Sequence, residues 1–155
     1  MKQLLTNEEI EIINNLGSKE LEASQAYLHL SIMMKNLGLF GAEKFFMAES
    51  NSEREHYSKW VSFMNDMGEA LAVPAVPAQN IDVNSLMDAF EMAYEMEADL
   101  LDGYEQAHSE VSAKVKPLIY DFLRIQTESV GEYGDLIARL ELTQEPILID
   151  QELGK

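Results

Sequence analysis

Glu49-Ser50-Asn51-Ser52-Glu53-Arg54-Glu55-His56 is the segment on which the fold of this chain turns. Its core is Glu53-x-x-His56, a carboxylate and an imidazole three residues apart. On a helix such residues share one face. Together they form a ligand pair suited to iron, manganese or zinc. The spacing alone is common. It gains meaning only where other helices bring carboxylates to the same level.

The flanking sequence is helical. A helix over about residues 39–67 has the seam Ala42, Phe46, Glu49, Glu53, His56, Trp60, Phe63, Met67, with three ionisable side chains inside an apolar stripe. Before it, Thr6 and Glu9 have the spacing of a capping box. They open a helix over about 7–35 with the seam Ile13, Leu16, Glu20, Ala23, Tyr27, Leu30, Met34. Glu20 is the one charge in that seam, where an unpaired carboxylate is costly. Asn36 to Gly38 separates the two helices.

Residues 68–83 contain Pro74 and Pro77 and are predicted to be non-helical. Extended, they span roughly 50 Å, enough to return along a helix about 43 Å long. The third helix, about 84–112, is therefore expected to run parallel to the second. Its seam is Leu86, Phe90, Ala93, Glu97, Leu100 or Leu101, Tyr104, His108, Val111. A short turn leads to a fourth helix over about 114–142, with Pro117 in its first turn. The seam assigned to it is Leu118, Phe122, Ile125, Ser129, Glu132, Leu136, Leu140, with Glu128 at its edge. The apolar tail 146–153 is expected to be a short fifth helix or an extended arm. The predicted fold is one all-α domain over residues 1–155, a four-helix bundle with one long crossover. No internal repeat stands out.

Composition narrows the function. The chain has 155 residues and no cysteine, which excludes disulfides, thiolate metal sites and thiol catalysis. A net charge of −17 opposes nucleic-acid binding and attracts cations. No segment has the pattern of a membrane span or a leader, so a cytoplasmic protein is expected.

Glu20, Glu53, Glu97 and the Glu128/Glu132 pair all fall near the middle of their helices. Helices of similar length packed side by side bring these carboxylates and His56 to one level. Several carboxylates cannot stay ionised at close range without a cation. The seams offer almost no Lys or Arg as partners, so one or two divalent metals are expected there. Tyr27, two turns from Glu20, is expected to hydrogen-bond a site carboxylate. Trp60 is read as core and His29 as solvent-facing. Glu105-x-x-His108 lies too far along its helix to join the main group.

Three segments give these features a family likeness. Glu20-Leu-Glu-Ala-Ser-Gln-Ala-Tyr27-Leu-His-Leu-Ser, Phe45-Phe46 followed by Glu53-Arg-Glu-His56, and Ala93-Tyr-Glu-Met-Glu97 resemble, in order, the first three helices of the ferritins. The likeness is nearest to the bacterial non-haem ferritins. It implies self-association into a homo-oligomeric cage of 24 subunits. It also implies oxidation of Fe2+ by O2 or H2O2 at a di-iron ferroxidase centre, and storage of the ferric mineral inside. The implied roles are Glu20 and His56 on one iron, Glu53 bridging and Glu97 on the other. Glu49, Glu128 and Glu132 would be accessory or transit ligands, and Tyr27 a positioning group and electron donor. Arg54 stands where haem-binding relatives carry Met, and the fourth helix has no second Glu-x-x-His, so no haem is expected. Ser52 replaces a Glu expected before Glu53. The rival functions are a different di-metal enzyme on the same bundle and a non-catalytic interaction bundle.

Overall fold

The computed structural model describes residues 1–155. It contains five helices and no strands: α1 (Asn7–Asn36), α2 (Phe40–Asp66), α3 (Leu86–Glu110), α4 (Lys116–Thr143) and α5 (Pro146–Leu153). The expected all-α bundle with one long crossover and a short C-terminal helix is what forms. No helix is long and apolar enough to cross a membrane.

Local chemistry sets the helix ends. Thr6 and Glu9 make both halves of the capping box. The same Glu9 carboxylate accepts from the Ser112 backbone N–H and hydroxyl at 2.9 and 2.7 Å, tying the start of α1 to the end of α3. α1 ends at Gly38, whose φ of 78° is open to glycine at little cost. Ser85 caps α3 through the Asp88 N–H at 3.0 Å.

α1 packs mainly on α2, and α3 on α4. The crossover follows α1. Ala72 N–H donates to Asn14 Oδ1 at 3.0 Å, and a ring nitrogen of His29 pairs with the Ile81 carbonyl at 2.7 Å. His29 is therefore half-buried beneath the crossover rather than solvent-facing. This course returns the chain to the end where α2 began, so α3 runs parallel to α2.

The fourth helix departs from the expected seam. Ile119, Phe122, Gln126, Tyr133, Leu136 and Leu140 face the core. Leu118, Ile125 and Glu132 lie one residue off that stripe. An apolar-only reading passes over Gln126 and slips by one position. Gln126 is nevertheless fully buried, because Glu97 satisfies its amide N–H groups.

α5 docks on the start of α2. That helix has no side-chain cap of its own at Leu39. Buried Asp150 supplies one from a distance, Oδ1 accepting from the Ala42 N–H at 2.7 Å. Gly41 permits the approach, since a Cβ there would sit 1.9 Å from the Asp150 carbonyl oxygen. Asp150→Ala should therefore cost about 1–2 kcal/mol in chemical denaturation. Gly41→Ala should displace α5 and expose Ile149. Unchanged stability in both variants would contradict this docking.

Candidate metal centre

Two apolar clusters fill the bundle. One includes Tyr27, Phe46, Phe90 and Tyr133, the other Trp60, Tyr104, Ile119 and Phe122. Between them lies a polar layer made by Glu20 of α1, Glu53 and His56 of α2, Glu97 of α3 and Gln126 of α4. All five are at most 9% exposed. Each sits on the core stripe of its helix, so its side chain is held away from bulk water.

These side chains form two groups with one member in common. Ligand atoms of Glu20, Glu53 and His56 lie within 4.8 Å of one another, and so do those of Glu49, Glu53 and Glu97. His56 Nδ1 is 3.0 Å from Glu53 Oε2 and 3.4 Å from Glu20 Oε2. With its proton on Nε2, this imidazole would present a free Nδ1 lone pair to a cation. Three carboxylates and one imidazole are a donor set for iron, manganese or zinc.

Neighbouring donors fix the outer carboxylates. The Tyr27 hydroxyl donates to Glu97 Oε1, and Gln126 Nε2 donates to Glu97 Oε2 at 2.5 Å. The Tyr104 hydroxyl donates to Glu20 Oε1 at 2.5 Å and accepts from Trp60 Nε1–H at 3.1 Å. Glu20 Oε2 and Gln126 Oε1 remain buried without a hydrogen-bond partner. An orphan carboxylate oxygen is costly unless something else binds it.

No lysine or arginine pairs with these carboxylates; the Lys and Arg ion pairs involve Glu43, Glu128 and Glu152. Burial, then the adjoining Glu20 and Glu97, pushes the Glu53 carboxyl well above the usual range. Burial alone would raise Glu20 too, but the close approach of Glu53 and His56, the His56 charge and the Tyr104 hydrogen bond hold it below its ordinary value. Burial, with Glu132 and Glu97, pushes Glu49 up to about 7.

Glu20, Glu53, His56, Glu97 and Tyr27 are brought together, and half-buried Glu49 joins them on the Glu97 side. Glu132 is exposed on α4 yet close enough to Glu97 that burial and the Glu97 charge raise its carboxyl. Glu128 stays outside the group: its side chain is 68% exposed and pairs with Arg124 at 3.6 Å. The cause is the register of α4, which turns Gln126 and not Glu128 inward. Glu105 is exposed, and His108 packs edge-on against Tyr120 with ring centroids 4.8 Å apart. Sequence reasoning missed Gln126, and it missed the hydrogen bond from Tyr104. One signal was available for the tyrosine: Tyr104 follows Glu97 by the interval that separates Tyr27 from Glu20.

The main surface clefts do not open on these ligands. The cleft of about 390 Å³ over α1 and α3 is lined by Glu22, Met92, Glu95, Met96 and Asp99 among others, and by none of the polar layer.

A crossover bundle with a buried carboxylate–imidazole layer defines the ferritin-like class. Residues 10–142 match the family model described as the ferritin-like domain, and the chain belongs to the ferritin family. It is 29% identical over 143 residues to a ferritin of Pacifastacus leniusculus, covering 87% of this chain and 79% of that one. It is also 29% identical over 94 residues to a bacterial non-heme ferritin of Campylobacter jejuni, covering 61% of this chain and 56% of that one. A probable bacterial non-heme ferritin-like protein of Haemophilus influenzae is 22% identical over 159 residues, covering 97% and 96%. Among solved structures, an open pore ferritin from the hyperthermophilic archaeon Archaeoglobus fulgidus superposes with a TM-score of 0.88, at 20% identity and 96% coverage of both chains. That last likeness establishes the fold.

The raised carboxyls set a pH dependence. Glu53 and Glu49 hold protons in the folded, metal-free chain that they lose when unfolded, between the ordinary 4.5 and about 7 for Glu49. The folded state therefore binds more protons, and stability falls as pH rises through that window. Depressed Glu20 works in the opposite sense, but only below the ordinary 4.5 and so outside this window. Metal displaces those protons, so its stabilisation grows with pH. Thermal melts of metal-free protein should show a lower Tm at pH 8 than at pH 6. The Tm increase on adding Zn2+ should be larger at pH 8. The reverse trend in either would contradict this charge arrangement.

Proposed function

We propose that this chain is an iron-storage ferritin that oxidises Fe2+ at a two-iron centre within each subunit. Membership of the ferritin family supports iron storage. The observation that carries the finer reading is the sharing of Glu53 between two buried ligand groups. A carboxylate common to two sites can bridge two cations, the arrangement that lets two metals act together on one reactant.

In this reading Glu20 and His56 hold one Fe2+, Glu97 holds the other and Glu53 bridges. Glu49 is a further ligand on the Glu97 side. Glu132 is a transit ligand at the edge, and Glu128, paired with Arg124, takes no part in the centre. The two Fe2+ give up one electron each to a single oxidant. With O2 and two protons the products are two Fe3+ and H2O2; with H2O2 and two protons they are two Fe3+ and two H2O. The chain supplies the geometry and a water-poor site, and the two protons come from solvent. Tyr27 fixes Glu97 through its hydroxyl. Ferric ions then pass toward the store. No haem takes part.

Storage requires a container, so the chain is proposed to assemble into a homo-oligomeric cage, of 24 subunits by family likeness, in the cytoplasm. The apolar side chains left exposed on the subunit, among them Ile32, Phe40, Met47 and Leu148, support burial against other copies.

The test is aerobic addition of Fe2+ well above two per subunit, followed by gel filtration and iron analysis of the protein peak. Iron far above that ratio in a very large particle is the expected result. Iron stopping at two per subunit in a small particle would point instead to a di-iron enzyme without storage. Glu53→Ala and His56→Ala should each slow rapid oxidation by roughly 100-fold or more and leave the particle size unchanged. Wild-type rates in both variants would contradict the assignment.

A further inference from the structure

The polar layer has a second tyrosine clamp, on the opposite side from Tyr27. Tyr27 of α1 reaches across to Glu97 of α3, and Tyr104 of α3 reaches back to Glu20 of α1. The two clamps differ in what stands behind them. The Tyr27 ring stacks on Phe46 and Tyr133, with centroids 6.0 and 6.2 Å away, and no indole N–H stands behind its hydroxyl. The Tyr104 hydroxyl receives the Trp60 Nε1–H at 3.1 Å. Tyr104, Trp60 and Phe122 form one nearly parallel stack, with centroids 4.8 to 6.4 Å apart and interplanar angles of 8 to 13°. All three rings and Glu20 are wholly buried.

This geometry constrains the direction of every proton in the chain. Indole N–H can only donate. Its hydrogen bond occupies a lone pair on the Tyr104 oxygen and turns the phenolic O–H toward Glu20 Oε1. That oxygen is then engaged, whereas Oε2, 3.4 Å from His56 Nδ1, has no hydrogen-bond partner. We propose that Tyr104 and Trp60 act as a positioning couple that reserves Oε2 of Glu20 for a cation and makes Trp60 a built-in reporter of that position. The inference rests on the reading that Glu20 is a metal ligand.

Trp60 is the chain's only tryptophan, so its emission is unambiguous. A cation on Glu20 withdraws charge from the carboxylate, weakens the Tyr104 hydrogen bond and alters the field at the indole. A second route from the site to Trp60 exists, since Phe122 stacks on Trp60 and meets His56 edge-on at 5.6 Å. Tyr104→Phe leaves that route intact and removes only the hydroxyl, which separates the two.

The experiment is Zn2+ titration of the full chain, which is redox-silent and closed-shell, followed by calorimetry and by Trp60 fluorescence. In the wild type two Zn2+ bind per subunit, and the emission change saturates with the first. In Tyr104→Phe one site weakens roughly 10- to 100-fold, and the emission change is lost although Zn2+ still binds. Trp60→Phe weakens the same site by a smaller factor. Tyr27→Phe weakens the other site and keeps the emission change. Unaltered affinities in Tyr104→Phe, with normal binding in the wild type, would overturn the positioning role and leave the metal centre standing. A wild-type emission indifferent to bound Zn2+ would overturn the reporter role. No Zn2+ binding by the wild type would remove the metal-site reading itself, and this inference with it.

Discussion

The structure depends on one electrostatic constraint: carboxylates from three helices share a dry layer that contains no lysine or arginine partner. Bringing Glu20 and Glu97 each within reach of Glu53 would be prohibitive if all were ionised. The fold meets this in two ways. Burial beside Glu20 and Glu97 raises the Glu53 carboxyl above its usual range. The fold also gives the outer two defined donors, Tyr104 for Glu20 and Tyr27 with Gln126 for Glu97. A pair of divalent cations satisfies the same layer by replacing protons with metal. The bundle is thus arranged around a charge that it does not itself supply.

The apolar parts follow from that layer. It divides the core into two clusters, each anchored by stacked aromatic rings. Tyr27, Phe46 and Tyr133 lie on one side; Trp60, Tyr104 and Phe122 lie on the other. These rings keep water out and lock the rotamers of the tyrosines that touch the ligands. Rigid packing is what turns four separate side chains into a site of fixed geometry. The chain ends add support at the periphery. Glu9 ties α1 to α3, and Asp150 caps α2 from α5.

Most of this was legible where a residue violated its pattern. Glu20, Glu53, His56 and Glu97 are charges in apolar seams, and a charge in a seam announces itself. The long proline-containing crossover fixed the order of the helices. Gln126 gave no such signal, because an uncharged amide in a seam reads as an ordinary surface residue. Passing over it moved the α4 seam by one position, put Ile125 and Glu132 where Gln126 and Tyr133 belong, and kept Glu128 among the candidates. Trp60 was rightly read as core, but its hydrogen bond to Tyr104 depends on the relative height of α2 and α3, which no single-helix pattern contains. The fate of the tail was likewise tertiary: Asp150 becomes a cap only because Gly41 lies opposite it.

The central claim is that Glu53 joins two cation positions inside one subunit. Anomalous diffraction from crystals loaded with Zn2+ at neutral pH tests it most directly. The account predicts two buried peaks about 3.5–4 Å apart, one beside Glu20 and His56, the other beside Glu97 and Glu49, with the Glu53 carboxylate between them. Peaks confined to surface carboxylates, or a single buried ion that leaves Glu53 unligated, would contradict it.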